Sequence, residues 1–292
     1  AVLIGFGIKI PLVPLHNWLP DAHTQASTPV SVLLAGVLLK LGTYGLLRFG
    51  LQLFPEAWAK LAPALAIWAA ISVLYGSLAA IAQTDMKRMV AYSSVGHMGY
   101  VLLAAAADTP VSLLGAVFQM VSHGLISALL FLLVGIVYRK TGTRDLDVLR
   151  GLLNPEKGLP LTGTLMILAV MASAGLPGMA GFISEFLVFR GSIGVFPVAT
   201  LLSMVGSGLT AVYFLLLVNR AFFGRLAITP PSGDPTADGR LDVQLAPVAP
   251  RETIPALALA AGIVAIGLVP SSLGHLSEAA STAMAAITAG VS

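Results

Sequence analysis

The sequence predicts an all-α polytopic transmembrane bundle of about eight membrane helices, two of them broken in mid-membrane, and three observations carry that prediction. First, 57% of the 292 residues are apolar and 10% are charged, with a mean hydropathy of +0.91, whereas an ordinary soluble domain carries roughly 25% charged residues. Second, the apolar residues come in runs of about 20, the helix length that spans a hydrocarbon layer about 30 Å thick. Third, Pro and Gly interrupt two of those runs beside a charged side chain.

Runs bounded by turn and charge signals place the spans at about 1–17, 29–50, 61–83, 88–107, 111–138, 160–190, 194–220 and 253–270. The first holds Lys9 in GFGIKIPLVPLHNWLP, where Pro11 and Pro14 each remove a backbone hydrogen bond and crowd the carbonyl four residues back, so the helix is expected to break beside the lysine. The second, VSVLLAGVLLKLGTYGLLRFG, has Lys40 near its middle. The fourth and fifth carry His97 in AYSSVGHMGYVLL and His123 in FQMVSHGLISALLF. The sixth is interrupted at SAGLPGMAGFISEF, where Gly175, Pro177, Gly178 and Gly181 cluster just ahead of Glu185. These spans make residues 1–270 a single transmembrane domain. The insert 224–252, with Pro230, Pro231, Gly233, Asp234, Pro235 and Gly239, repeats nothing at helical spacing and is expected to be a polar surface loop. The stretch 271–292 is small, mildly polar and Ala-rich, a tail or an interfacial helix. The chain opens inside an apolar run, with no initiator Met, charged leader region or small-residue cleavage site, and is expected to be a piece whose N-terminal part lies elsewhere.

Eight crossings put successive loops on alternate sides. Lys87, Arg88, Arg139, Lys140, Arg144, Arg150, Lys157, Arg220, Arg225, Arg240 and Arg251 then fall on one side, against Arg48, Lys60 and Arg190 on the other. This asymmetry supports the number of crossings and assigns the first side to the cytoplasm or its equivalent, with the C-terminus opposite. It also explains the basic pI better than nucleic-acid binding does. The absence of cysteine excludes disulfides, thiolate nucleophiles and iron–sulfur ligation in this chain.

Lys9 and Lys40 stand outside that tally. Lys40 lies about ten residues from either end of its run, roughly 15 Å from each interface at 1.5 Å per residue, too far to snorkel comfortably. A charge at such depth costs about 2.5–3.5 kcal/mol on insertion scales, so it marks function by default. Burial disfavours the ammonium and a nearby carboxylate favours it, which makes such a lysine a candidate proton store; the bland alternative is a pair that only ties helices together. An interrupted helix beside Lys9 is a usual lining for an ion site, or a kink that serves packing. Glu185 lies five residues before Arg190, and spacing alone leaves it either deep or at the rim. A lone His in a helix is more often a packing residue than a relay, but two on consecutive spans, together with two lysines and a glutamate, shift the balance toward proton transfer. No His pair at metal spacing and no HExxH is present, and His16 and His23, read as lying in a turn, have no supporting carboxylates, so no metal is expected. Phosphate loop, GxSxG elbow and dinucleotide fingerprint are likewise missing, and no catalytic or cofactor-binding residue is expected.

The stretches KIPLVPLHNWLPDAHTQASTPVSVLLAGVLLKLGTYGLLR, TDMKRMVAYSSVGHMGY, SHGLISALLFLLVGIVY and GLPGMAGFISEFLVFRG, in this order over about 1–225, resemble the antiporter-like membrane subunits of respiratory complex I and its photosynthetic relatives, of the subunit 4 or chain M type. The resemblance implies a fourteen-helix subunit of which this chain is the last eight. It also implies a proton path from Lys9 on one broken helix to Lys40, then His97 and His123, and out through Glu185 on a second broken helix, which makes that glutamate buried. In that family the lysine at the Lys9 position pairs with a glutamate on an upstream helix absent from this sequence.

The function so implied is proton translocation within an NAD(P)H- or ferredoxin-quinone oxidoreductase, with iron–sulfur clusters and quinone carried by partner subunits. Two alternatives stand beside it: a subunit of a multisubunit monovalent cation/proton antiporter, and a carbon-dioxide-uptake variant of photosynthetic complex I. The wording around SHGLISALLFLLVGIVYRKTGTRDLDVLRGLLNPEKGLP is similar to cyanobacterial or chloroplast-type chains, and points to a thylakoid membrane, with a bacterial inner membrane as the alternative. Expected partners are the other membrane subunits, the bilayer and protons.

Overall fold

A computed structural model describes residues 1–228 and 245–289. Its helices are α1 (Val2–Lys9), α2 (Trp18–Gln25), α3 (Thr28–Leu51), α4 (Pro55–Ile81), α5 (Met86–Ala107), α6 (Pro110–Thr141), α7 (Pro160–Ser173), α8 (Ala180–Ser192), α9 (Pro197–Phe222), α10 (Pro250–Leu268) and α11 (Ser271–Ala289). Six of these, α3, α4, α5, α6, α9 and α10, are long and apolar enough to cross a membrane unbroken. The interrupted pairs α1/α2 and α7/α8 account for the other two spans of a polytopic membrane bundle. A two-residue strand, β1 (Leu149–Arg150), pairs antiparallel with β2 (Ala227–Ile228). Most of the expected polar insert, residues 229–244, lies outside the described residues, as do 290–292; α10 already begins at Pro250, inside the span assigned to that insert.

The centre of the bundle is α5 and α6. In their most apolar stretches 94% and 78% of residues are buried, against 28% in α10, so α5 and α6 face protein and the outer helices face the surroundings. α5 packs along α4, α6 along α8, and α10 and α11 lie against α6. Where helices cannot be driven together by expulsion of water, small residues set close approach. A Cβ on Gly124 would sit 3.0 Å from the carbonyl oxygen of Gly36, and one on Gly115 would sit 2.6 Å from the backbone nitrogen of Val188. These contacts bring α3 and α8 onto α6.

The apolar interior divides into two clusters. One gathers Ala35, Val90, Ala91, Ile126, Ala180 and Tyr213; the other gathers Leu39, Val95, Met98, Ala116, Val188 and Ala199. On α3, α5, α6 and α8 the change from one cluster to the other falls around Lys40, His97, His123 and Glu185. The ionisable side chains therefore share one polar layer between two apolar cores.

The basic rim is stapled by ion pairs: Arg144 with Asp85, which also caps α5, Arg88 with Asp21 at 2.8 Å, and Arg139 with the buried Glu252 at 2.5 Å.

Candidate functional site: a buried chain of ionisable side chains

Lys40 sits between two widened turns of α3, Leu34–Leu38 and Leu46–Leu51, in which the backbone bonds reach five residues back. Such π turns commonly accompany functional sites. Its ammonium donates to the carbonyl of Ala35 and stands 2.6 Å from Nδ1 of His123. An ammonium can only donate, so the proton of neutral His123 resides on Nε2, a buried nitrogen with no hydrogen-bond partner. The close approach of Gly36 and Gly124 is what admits this contact, for Gly124 lies one residue beyond His123 and its missing Cβ faces the lysine stem.

The rings of His123 and His97 lie 5.3 Å apart. His97 Nδ1 is 2.8 Å from the carbonyl of Ser93, one turn back. A carbonyl only accepts, so Nδ1 carries the hydrogen and Nε2 of neutral His97 presents a lone pair. That Nε2 faces Ser173 Oγ at 3.5 Å and Glu185 Oε1 at 3.9 Å. Glu185 itself is 5% exposed, and its other oxygen accepts from Ser207 Oγ at 2.5 Å.

The break between α7 and α8 makes room for the carboxylate. Gly175 and Gly178 adopt φ of +75° and +89°, conformations that residues with a Cβ adopt only under strain, and a Cβ on Gly175 would stand 3.3 Å from Glu185 Oε2. Pro177 lies between the two glycines. At the other break α1 ends at Lys9 and α2 begins at Trp18, with Pro11 and Pro14 in the connection. Lys9 is exposed, its stem against Gly42 of α3, and its ammonium makes no ion pair among the described residues. The structure thus assembles Lys40, His123, His97 and Glu185 and leaves Lys9 at the margin.

Two readings of the sequence need correction. His23 is helical, not in a turn, and both it and His16 are buried with unpartnered ring nitrogens; His23 stacks on Phe131 at 4.2 Å and His16 lies edge-on to Tyr75. Lys87, counted with the loop cations, is 5% exposed and donates to the carbonyl of Ala26. The partners Ser93, Ser173 and Ser207 carry no sequence signal, because serine is ordinary in membrane helices. No cluster of three His, Cys, Asp or Glu suited to a metal occurs among the described residues.

Comparison with known proteins agrees with this architecture. Residues 1–210 match the family described as "NADH:quinone oxidoreductase/Mrp antiporter, TM", and the chain belongs to that family. It is 44% identical over 290 residues to NAD(P)H-quinone oxidoreductase chain 4 1 of Synechococcus elongatus, covering 97% of this chain and 52% of that protein. It is 48% identical over 223 residues to NADH-quinone oxidoreductase subunit M of Escherichia coli, covering 76% and 43%. Among solved structures, a chain of respiratory complex I from Thermus thermophilus superposes with a TM-score of 0.86 at 29% identity, covering 98% of this chain and 58% of that one. The chain spans about half the length of the curated relatives it matches.

Proposed function

We propose that this chain forms the central and outlet part of a proton channel in a complex I-type quinone oxidoreductase. The observation that carries the reading is the continuous series Lys40, His123, His97, Glu185, held in one polar layer beside a helix break. A proton leaving the Lys40 ammonium passes to His123 Nδ1, and the hydrogen on His123 Nε2 is released toward the lone pair of His97 Nε2. From there it reaches Glu185 Oε1. His123 Nε2 has no hydrogen-bond partner and the 3.9 Å separation between His97 and Glu185 exceeds a hydrogen bond, so each of these last two steps needs a bridging water or a small rotamer change. Lys9, at the end of its broken helix, serves as the group whose pairing biases the charge on Lys40. Electron transfer, iron–sulfur clusters and quinone belong to partner subunits, and the likeness to a cyanobacterial chain 4 favours a thylakoid location, with a bacterial inner membrane as the alternative.

The test is proton uptake into sealed vesicles carrying the whole complex, wild type against Lys40→Ala, normalised to assembled complex. Uptake is expected to fall by roughly tenfold or more, since a positioned acid–base group contributes at least that much. Unchanged uptake would make Lys40 a structural group and remove the relay. The family description also spans Mrp antiporters, and the reading as a cation/proton antiporter subunit predicts that uptake depends on sodium.

A further inference from the structure

Glu185 has two carboxylate oxygens, and the bundle gives each a different neighbour: Oε1 faces His97 at 3.9 Å, and Oε2 takes the Ser207 hydroxyl at 2.5 Å. Ser207 lies on α9, between Ala199 of one apolar cluster and Tyr213 of the other, so it belongs to the same polar layer. It is only half-buried, and its neighbour Gly208 has nothing within 4 Å of where a Cβ would stand. The layer thus runs past Glu185 to the outer face of α9. Hydroxyls continue beside it: Tyr100 Oη lies 3.6 Å from the Cβ position of Gly206, and Tyr213 donates to Thr210 at 3.2 Å.

The geometry points to Ser207 as the positioning residue that orients Glu185, holding one carboxylate oxygen so that the other stays turned toward His97. The role rests on the relay reading above. Ser207 has one hydrogen to give and gives it to Oε2. A hydroxyl bonded to a carboxylate is among the stronger hydrogen bonds available, and rotation about χ3 of Glu185, otherwise broad and two-fold, would break it. A proton arriving on Oε1 therefore finds a fixed acceptor. The Oε2 side, where Ser207 stands, leads away from His97 toward the surface of α9.

The experiment compares wild type, Ser207→Ala, Ser207→Thr and Glu185→Gln in the whole complex in sealed vesicles, reading proton uptake per assembled complex and the infrared carboxyl band that Glu185→Gln removes. Ser207→Ala is expected to slow uptake about tenfold, the loss of roughly one hydrogen bond to a charged group, and to move the Glu185 band to higher frequency. Ser207→Thr, which keeps the hydroxyl, is expected to restore both. If Ser207→Ala fails to assemble, Ser207→Cys, a weaker donor of similar size, is expected to fall between alanine and serine. Normal uptake and an unmoved band in Ser207→Ala, with uptake lost in Glu185→Gln, would overturn the role of Ser207 and leave the relay standing. Equal loss in Ser207→Ala and Ser207→Thr would overturn it in favour of packing. Full uptake in Glu185→Gln would overturn the relay itself.

Discussion

The two helix breaks solve the same problem in different ways. Backbone freed from a helix within a bilayer must find partners inside the protein. Between α1 and α2 local bonds, the Leu12 amide to the Gly7 carbonyl at 2.9 Å and the Leu15 amide to the Leu12 carbonyl at 2.6 Å, are supplemented by side chains: the Val13 amide donates to Ser72 at 3.2 Å, Trp68 donates its indole N–H to the Val13 carbonyl, and Trp18 donates to the Ile8 carbonyl at 2.9 Å. Between α7 and α8 the chain satisfies itself, with Leu176 bonded to Met171 at 3.0 Å and Met179 to Leu176 at 3.1 Å. The first break spends neighbouring side chains on its own backbone and leaves its charge, Lys9, without an ion pair among the described residues. The second leaves neighbouring side chains free, and His97 and Ser207 turn to Glu185. A break becomes a site when its backbone needs no side-chain partner and the surrounding side chains are available for something else.

The sharpest way to break this comparison is to stop the second turn from closing. A Cβ on Gly181 would lie 2.0 Å from the carbonyl oxygen of Ala172, a backbone atom that cannot step aside. Gly181→Ala is expected to cost about 3 kcal/mol, at the upper end for overpacking, and to remove most of the assembled complex on a native gel. Normal assembly would mean that α7 and α8 can part without loss. A milder change separates shape from function: Gly175→Ala forces a residue with a Cβ to φ +75° and places that Cβ 3.3 Å from Glu185 Oε2. The strain is on the order of 1–2 kcal/mol, which most of the complex should survive. Proton uptake is expected to fall about tenfold through displacement of the carboxylate. Gly194→Ala, where a Cβ meets nothing within 4 Å, is the matched control and should leave uptake unchanged.

These effects show where the sequence was readable. In lipid, the length of an apolar run and an ionisable residue inside it are both strong signals, so the eight spans, Lys40, His97, His123 and Glu185 all stand out in a one-dimensional reading. What brings them together does not. The Gly36 and Gly124 approach pairs two glycines among the 30 in the chain, and nothing in either segment names the other. Ser207 looks like Ser77 or Thr210, whose hydroxyls bond a carbonyl of their own helix, the usual habit of such residues. WLPDAHTQ is too polar to read as part of an apolar run, yet it is a helix, α2, packed on α5. Lys87 reads as a loop cation only because α5 starts at Met86, two residues before the boundary the apolar run gives.

The smallest expected effect concerns the first break. Lys9 makes no ion pair among the described residues, so Lys9→Ala orphans no carboxylate among them, and substitutions that leave none usually shift stability by less than about 0.5 kcal/mol. The thermal midpoint of the assembled complex should therefore stay within a degree or two of wild type, since about 1 kcal/mol moves a domain of 150–250 residues by roughly 2–4 °C. Proton uptake, in contrast, should fall if Lys9 biases Lys40. Stability and transport would then separate at the first break, whereas Gly181→Ala lowers both at the second. A clear drop in the midpoint of Lys9→Ala would show instead that this lysine holds helices together, and the two breaks would differ less than their hydrogen bonds suggest.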